Sequence, residues 1–298
     1  MTRPEHWSHD RDHFYKYMTA DTARLVLQNR TLRWSAPKLF NDPFDIQFDL
    51  QLEYDRDRAV KEAMNEIWEI YSGVKPIVPN NALGLALMLL RDRAPGMTRQ
   101  ELEGEMLETL HQGIDNAEAI LPETQAAMRA VISDHKVLCL TEVHDNILMW
   151  SHYARSHTGV VIRLTCIDDL DSAWGVAQPV RYQAAMPRLL DERQTIQLMS
   201  GQGGIDKENL FANSVYTKAA DWAYEKEWRL VGRWDQTRET EDINFNSEEL
   251  TGVYFGCRIS DADRQDLSAL IEGSYSHAAM FEAQKSEQAF SLVFNETG

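Results

Sequence analysis

Cysteine is scarce in this chain. Among 298 residues there are three, Cys139, Cys166 and Cys257, far apart and odd in number. No CxxC pair occurs, which removes a zinc ribbon and a disulfide framework and leaves a reducing, cytoplasmic setting as the expectation. Basic residues are also short: 30 Lys and Arg stand against 47 Asp and Glu, a net charge of -17. That surplus gives no general attraction to phosphate backbones and argues against a large nucleic-acid footprint, while leaving room for a local basic cleft. Long apolar runs are missing. The richest, ALGLALMLL at 82–90, is too short to span a bilayer and reads as a buried helix. The opening MTRPEHWSHDRDHFYKYM has no apolar signal core, so no membrane partner is expected. GxGxxG after a strand, a Walker loop, GxSxG and HExxH are absent as well. Nucleotide hydride chemistry, a hydrolase elbow and a zinc protease are therefore not encoded in recognisable form.

What is present is a core-forming composition, 43% hydrophobic with eight Trp and ten Tyr. Three zones follow one another, in a chain read as a single domain over residues 1–298. The first, 13–52, reads strand (13–18), short helix capped by Thr19 or Asp21, strand (31–35), then turn. The turn is dense: LRWSAPKLFNDPFD holds two prolines and an Asn-Asp pair, more rigid chemistry than a plain connection needs. The second zone reads as helices at 55–72, 80–94, 98–118 and 122–134, separated by prolines, and forms a helical insertion over 55–134. The third returns to strands at 137–140, 160–164, 180–183, 224–232, 251–257 and 289–294, with a helix at 146–156 and a mobile Gly-rich linker at 197–209. The expected fold class is α+β, a mixed or antiparallel β core carrying that insertion.

KAADWAYEKEWRLVGRW, from Lys218 to Trp234, is the richest segment. Read as one strand, it puts Trp222, Tyr224, Lys226, Trp228 and Leu230 on one face. Glu225, Glu227, Arg229 and Val231 then share the other. Two carboxylates side by side repel, and at least one pKa rises unless a cation or a ligand hydroxyl answers them. Such a pair suits ribose hydroxyls or a developing oxocarbenium ion. It equally suits an exposed strand face held by a Glu227–Arg229 pair. In 145–159, His152 and Tyr153 sit beside an apolar helical stripe of Ile147, Trp150 and Ala154. His152 is open to a packed or a functional role.

FYKY, LRWSAPKLFNDPFD, LMWSHYARSHTGVVIRL and YEKEWRLV together resemble the bacterial domain-of-unknown-function-2971 family, across about residues 14 to 257. The order of the pieces is also similar to that of ADP-ribosyltransferases, including bacterial toxins: a first strand with a basic residue beside Tyr, a helix, a strand ending in Ser, and a later Glu-x-Glu. That likeness implies an ADP-ribosyltransferase-like β core, with NAD as the substrate-cofactor. It implies that Lys16 or Tyr17 grips the nicotinamide ribose or phosphates and that Ser35 supports the nicotinamide pocket, with Tyr15, Arg33, Asn41 and His152 as further NAD-binding residues. Glu227 would bond the ribose 2′-hydroxyl, and Glu225 would orient the acceptor. The expected partner is a macromolecular acceptor (RNA, DNA or protein), with an antitoxin or other protein possible for a toxin or phage-defence effector. Two other readings stay open. One is a non-catalytic protein-binding module. The other is a metal-dependent nuclease built on Asp42, Asp45, Glu225 and Glu227.

Overall fold

The computed structural model describes residues 3–235 and 237–297. In chain order the elements are β1 (His13–Met18), α1 (Ala20–Asn29), β2 (Thr31–Ser35), β3 (Gln51–Leu52), α2 (Arg56–Tyr71), α3 (Ala82–Arg93) and α4 (Arg99–Ser133). Then come β4 (His135–Thr141), α5 (Ile147–His152), β5 (Val160–Thr165), β6 (Gln178–Pro179), β7 (Arg181–Gln183) and β8 (Arg188–Leu190). The chain continues with α6 (Glu192–Met199), α7 (Lys207–Val215), β9 (Thr217–Ala219), β10 (Glu227–Arg233) and β11 (Thr240–Asn244). It closes with β12 (Leu250–Phe255), α8 (Asp261–Ser274), β13 (Ala279–Lys285) and β14 (Leu292–Glu296). The fold is mixed α and β around a mostly antiparallel open sheet. Two compact units divide it: Met1–Ile46, Ser133–Ala184 and Tyr216–Gly298 form one; Gln47–Ile132 and Ala185–Val215 form the other. The helices of the second unit bury their apolar stripes in a cluster of their own.

The first unit holds the large sheet, in the order β11-β2-β4-β1-β5-β12-β13-β14, with β10 branching from β4 and β6 pairing with β10. β10 runs the length of β4, from Glu227 opposite Thr141 to Arg233 opposite His135. On its other edge β4 meets β1 only at Tyr15–Thr141 and β2 only at Ser35–Val137. The sheet therefore opens between β1 and β2. In that gap Lys16 Nζ donates to the Cys139 carbonyl at 2.8 Å, replacing a ladder amide. Strand alternation sorts the two faces. Phe14 and Met18 of β1 join a core with Leu32, Leu138, Ile162, Val253 and the inner sides of α1 and α8. Tyr15 and Tyr17 join Met149, Trp150, Val161 and Tyr254 on the opposite face. Because Tyr15 and Glu227 both oppose Thr141, they share that second face.

α1 starts as expected, Thr19 Oγ1 accepting from the Thr22 amide, and ends at Arg30 in the left-handed region. The other differences have local causes. α5 is shorter than 146–156: Asn146, not Asp145, caps it, and the next residues include three left-handed ones, Arg155, Ser156 and His157. α8 and β13 fall where no element was expected.

In the second unit, α4 runs unbroken through Pro122, where two helices were expected. The carbonyl that Pro122 leaves without a donor belongs to Glu118, an exposed residue with access to water. α3 is a helix, as its Leu-rich sequence suggests, but Leu85 and Leu89 are about half exposed and only Gly84 and Leu87 are buried. The Gly-rich linker is anchored rather than mobile: the Asn81 side-chain amide donates to the carbonyls of Leu198 and Gly203, and the Asn80 amide to that of Gly201. Gly84 and Gly201 meet so closely there that a Cβ on Gly84 would lie 2.3 Å from the Gly201 carbonyl oxygen. No helix among the described residues is long and apolar enough to cross a membrane.

Candidate functional site

A cavity of about 400 Å³ opens on the Tyr15–Tyr17 face of the first unit. Its walls come from β1 (Tyr15, Lys16, Tyr17), from the corner after β2 (Leu39, Phe40, Asn41, Asp45), from β4 and α5, and from Lys218, Glu225 and Glu227. That size and aromatic lining match a site for a small organic ligand.

Its floor is a buried charge cluster. Glu225, Glu227 and Asp45 are 3%, 5% and 3% exposed, and Arg229 is wholly buried. Lys218 Nζ donates to Glu225 at 2.5 Å and Glu227 at 2.9 Å, and lies 3.5 Å from Asp45. Arg229 donates through Nε to Glu227 at 2.7 Å and through Nη2 to both Asp45 oxygens, at 2.8 and 2.7 Å. Tyr153 donates its hydroxyl to Glu225 at 2.5 Å. Burying each ion costs several kcal/mol of hydration, so this cluster stands only because each cation answers more than one acid. Three carboxylates still outnumber two cations, and the imbalance decides who stays charged. Burial alone would raise the Glu227 carboxyl, but Arg229 and Lys218 outweigh it and hold Glu227 well below the usual carboxylate range. Burial pushes Glu225 up, Lys218 resisting and the Glu227 charge adding to the rise. Asp45 is pushed up by burial too, against Arg229. On Lys218 burial works against the charge, yet Glu227, Glu225 and Asp45 together raise its pKa above the ordinary lysine range.

The strand reading of 224–232 needs correcting. Ala220–Glu225 is a 3-10 helix, Lys226 takes a left-handed φ of 44°, and the strand begins at Glu227. Glu225 reaches the cavity from the end of the helix, so the two carboxylates converge on Lys218 instead of lying flat along a strand. Nor is their face exposed. The sequence placed the remaining residues with mixed outcomes. Tyr15, Lys16, Tyr17, Asn41, His152, Glu225 and Glu227 all line the cavity. Asn41 and His152 are exposed, while Tyr15 and Tyr17 are buried in the wall. Burial pushes the Lys16 amine below its usual range. Arg33 and Ser35 are not among the lining residues: Arg33 is exposed and paired with Asp242 at 2.9 Å, and Ser35 is engaged between Val137 and Thr240. Their place is taken by the corner that follows.

That corner is tightly determined. A 3-10 turn covers Pro37–Leu39, Asp42 accepts from the Phe44 amide at 2.9 Å, and the Asp45 amide donates to the Asp42 carbonyl at 3.1 Å. Ile46 then adopts φ 61°, a left-handed conformation that costs a β-branched residue about 1–3 kcal/mol. The Asp45–Arg229 pair lies beside it, and removing one partner of such a buried pair costs about 3–5 kcal/mol. Lys218, Tyr153 and this use of Asp45 were missed as a set. The available signal was the surplus of acids over Arg229 in any cluster of Glu225 and Glu227, which demands a second cation. Of the four carboxylates in the nuclease reading, Asp42 caps its turn and the other three are bonded to cations.

No curated protein and no solved structure matches this chain. One family model does, over residues 149–230, a narrower span than the resemblance suggested and one that leaves out β1 and the corner after β2. The matched stretch contributes Met149, His152, Tyr153, Lys218, Glu225 and Glu227 to the cavity, and over that stretch the chain is similar to the family described as protein of unknown function, DUF2971.

Proposed function

We propose that the cavity binds NAD as a substrate and that the protein transfers its ADP-ribose to a macromolecular acceptor. One convergence carries the reading: the Tyr15-Lys16-Tyr17 strand, the Phe40–Asn41 corner and the Glu225/Glu227 pair line the same cavity. Two carboxylates with pKa values driven apart suit two roles. Glu227, held anionic by Arg229 and Lys218, supplies fixed negative charge in a low-dielectric floor, where a developing oxocarbenium ion gains most from it. Glu225, lying higher, takes a proton from the acceptor hydroxyl or amine as that atom bonds to the ribose carbon. The C–N glycosidic bond breaks and its electron pair leaves with nicotinamide. Phe40 and Tyr153, which are only partly buried, put aromatic rings in the wall for a planar ring to meet. By the same likeness the activity belongs to a toxin or phage-defence effector, restrained by a protein partner.

The test is incubation of the purified protein with NAD labelled on its adenylate, in host extract. The expected result is a labelled macromolecule with matching nicotinamide release, both lost in Glu227→Gln. Neither product from the wild type would end the proposal. Nicotinamide without a labelled acceptor would keep the NAD site and replace transfer by hydrolysis.

A further inference from the structure

We infer that Asp45 is a positioning residue that fixes the Leu39–Phe40–Asn41 wall of the cavity by anchoring its corner to Arg229. The corner is tied to the sheet at its start, where the Ala36 amide donates to the Glu239 carbonyl at 2.8 Å. Between that point and Asp45 its backbone bonds are local: Leu39 to Ala36, Phe40 to Pro37, Asp45 to Asp42. Lys38 pairs with Glu239 at 2.9 Å near the start of the corner, and at its end the Asp45 carboxylate is bonded to a guanidinium that is wholly buried. Arg229 also lies over the Phe40 ring, 5.8 Å from its centroid, so one side chain grips both the anchor and the wall. Ile46 stores left-handed strain at the adjacent position. Strain of this kind persists only while its surroundings over-determine it, so losing the anchor removes what holds the strained residue and lets the corner relax away from the cavity. The placement holds whatever ligand the cavity takes.

The test uses the full chain and the variants Asp45→Asn, which keeps the shape and removes the charge, and Asp45→Glu, which keeps the charge and displaces it by one methylene. Amide hydrogen exchange over 37–46 is read against exchange in β1 and β5. The expected result is at least tenfold faster exchange in the corner of Asp45→Asn with the strands unchanged, and a smaller acceleration in Asp45→Glu. On labelled NAD the same variant should show KM raised about tenfold. A merely structural defect would lower the folded fraction and leave KM alone. Corner exchange equal to wild type would overturn the inference, as would faster exchange with KM unmoved. Should Asp45→Asn not fold, Asp45→Glu decides alone: a corner at least threefold faster supports the anchor, an unchanged one refutes it. If the wild type does not turn over NAD, the exchange comparison still stands, so the two proposals fail separately.

Discussion

The Tyr153 hydroxyl donates to Glu225 Oε1 at 2.5 Å, joining residues 72 positions apart. The bond satisfies the one Glu225 oxygen that Lys218 does not hold. Tyr153→Phe leaves that oxygen buried without a donor, at a cost of about 1–3 kcal/mol. The bond also lowers the Glu225 pKa, which burial has already raised, so its loss moves Glu225 further up. The variant should melt lower, and the acid limb of its pH–rate profile for nicotinamide release should move to higher pH. A profile that stays in place would show that Glu225 is not the group titrating on that limb.

Why some of this was readable and some was not comes down to range. The alternation of HFYKYM assigns β1 and its two faces from neighbouring residues alone. Glu225 and Glu227 were flagged by spacing, yet the route to the cavity runs through a 3-10 turn and a left-handed Lys226 that a period-two count cannot see. Lys218 acquires its meaning only when Asp45, from the far end of the chain, meets Glu225 and Glu227. α8 escaped because it buries only Leu267 and Ile271, too narrow a stripe to stand out from its charged surroundings. Ser35 and Arg33 looked right by order along the chain, but the strand carrying them is paired with β11, and it is the next turn that faces the site.

Arg33 should accordingly be dispensable. Its pair with Asp242 is exposed on both sides, 60% and 45%, and exposed pairs are worth about 0–1 kcal/mol. Arg33→Ala is expected to shift the melting temperature little and to keep the wild-type rate and KM on labelled NAD. A large rise in KM would return Arg33 to the site and contradict its orientation.

Pro122 offers a test of the second unit. A proline inside a helix removes one hydrogen bond and crowds the preceding turn, costing about 3 kcal/mol against alanine. α4 absorbs this within an exposed stretch where neither Ala119 nor Ile120 is buried. Pro122→Ala should slow amide exchange through residues 115–125. No slowing there would mean that the helix is held open at this point by something other than the ring.

The charge cluster makes the sharpest contrast, between two neighbouring carboxylates. Glu227 sits below the ordinary carboxylate range. It therefore contributes stability that is present above about pH 4.3 and is lost as the pH falls through its lowered folded value. Glu225 sits above that range, so the sign reverses. Its folded state keeps a proton that the unfolded chain has released, and stability declines as the pH climbs from about 4.3 through the raised value. Glu227→Gln takes away the acid that both cations hold, leaving Arg229 and Lys218 underpaired, and should cost about 3–5 kcal/mol at pH 7. Glu225→Gln balances the cluster at two acids and two cations and leaves an amide for Tyr153 and Lys218, so it should fall within about 1 kcal/mol of wild type. It should also flatten the decline above about pH 4.3. Urea unfolding of the three proteins across pH 4–8 reads both effects. Equal losses for the two variants would mean that Lys218 and Arg229 do not discriminate between the carboxylates, and the division of roles between Glu225 and Glu227 would go with it.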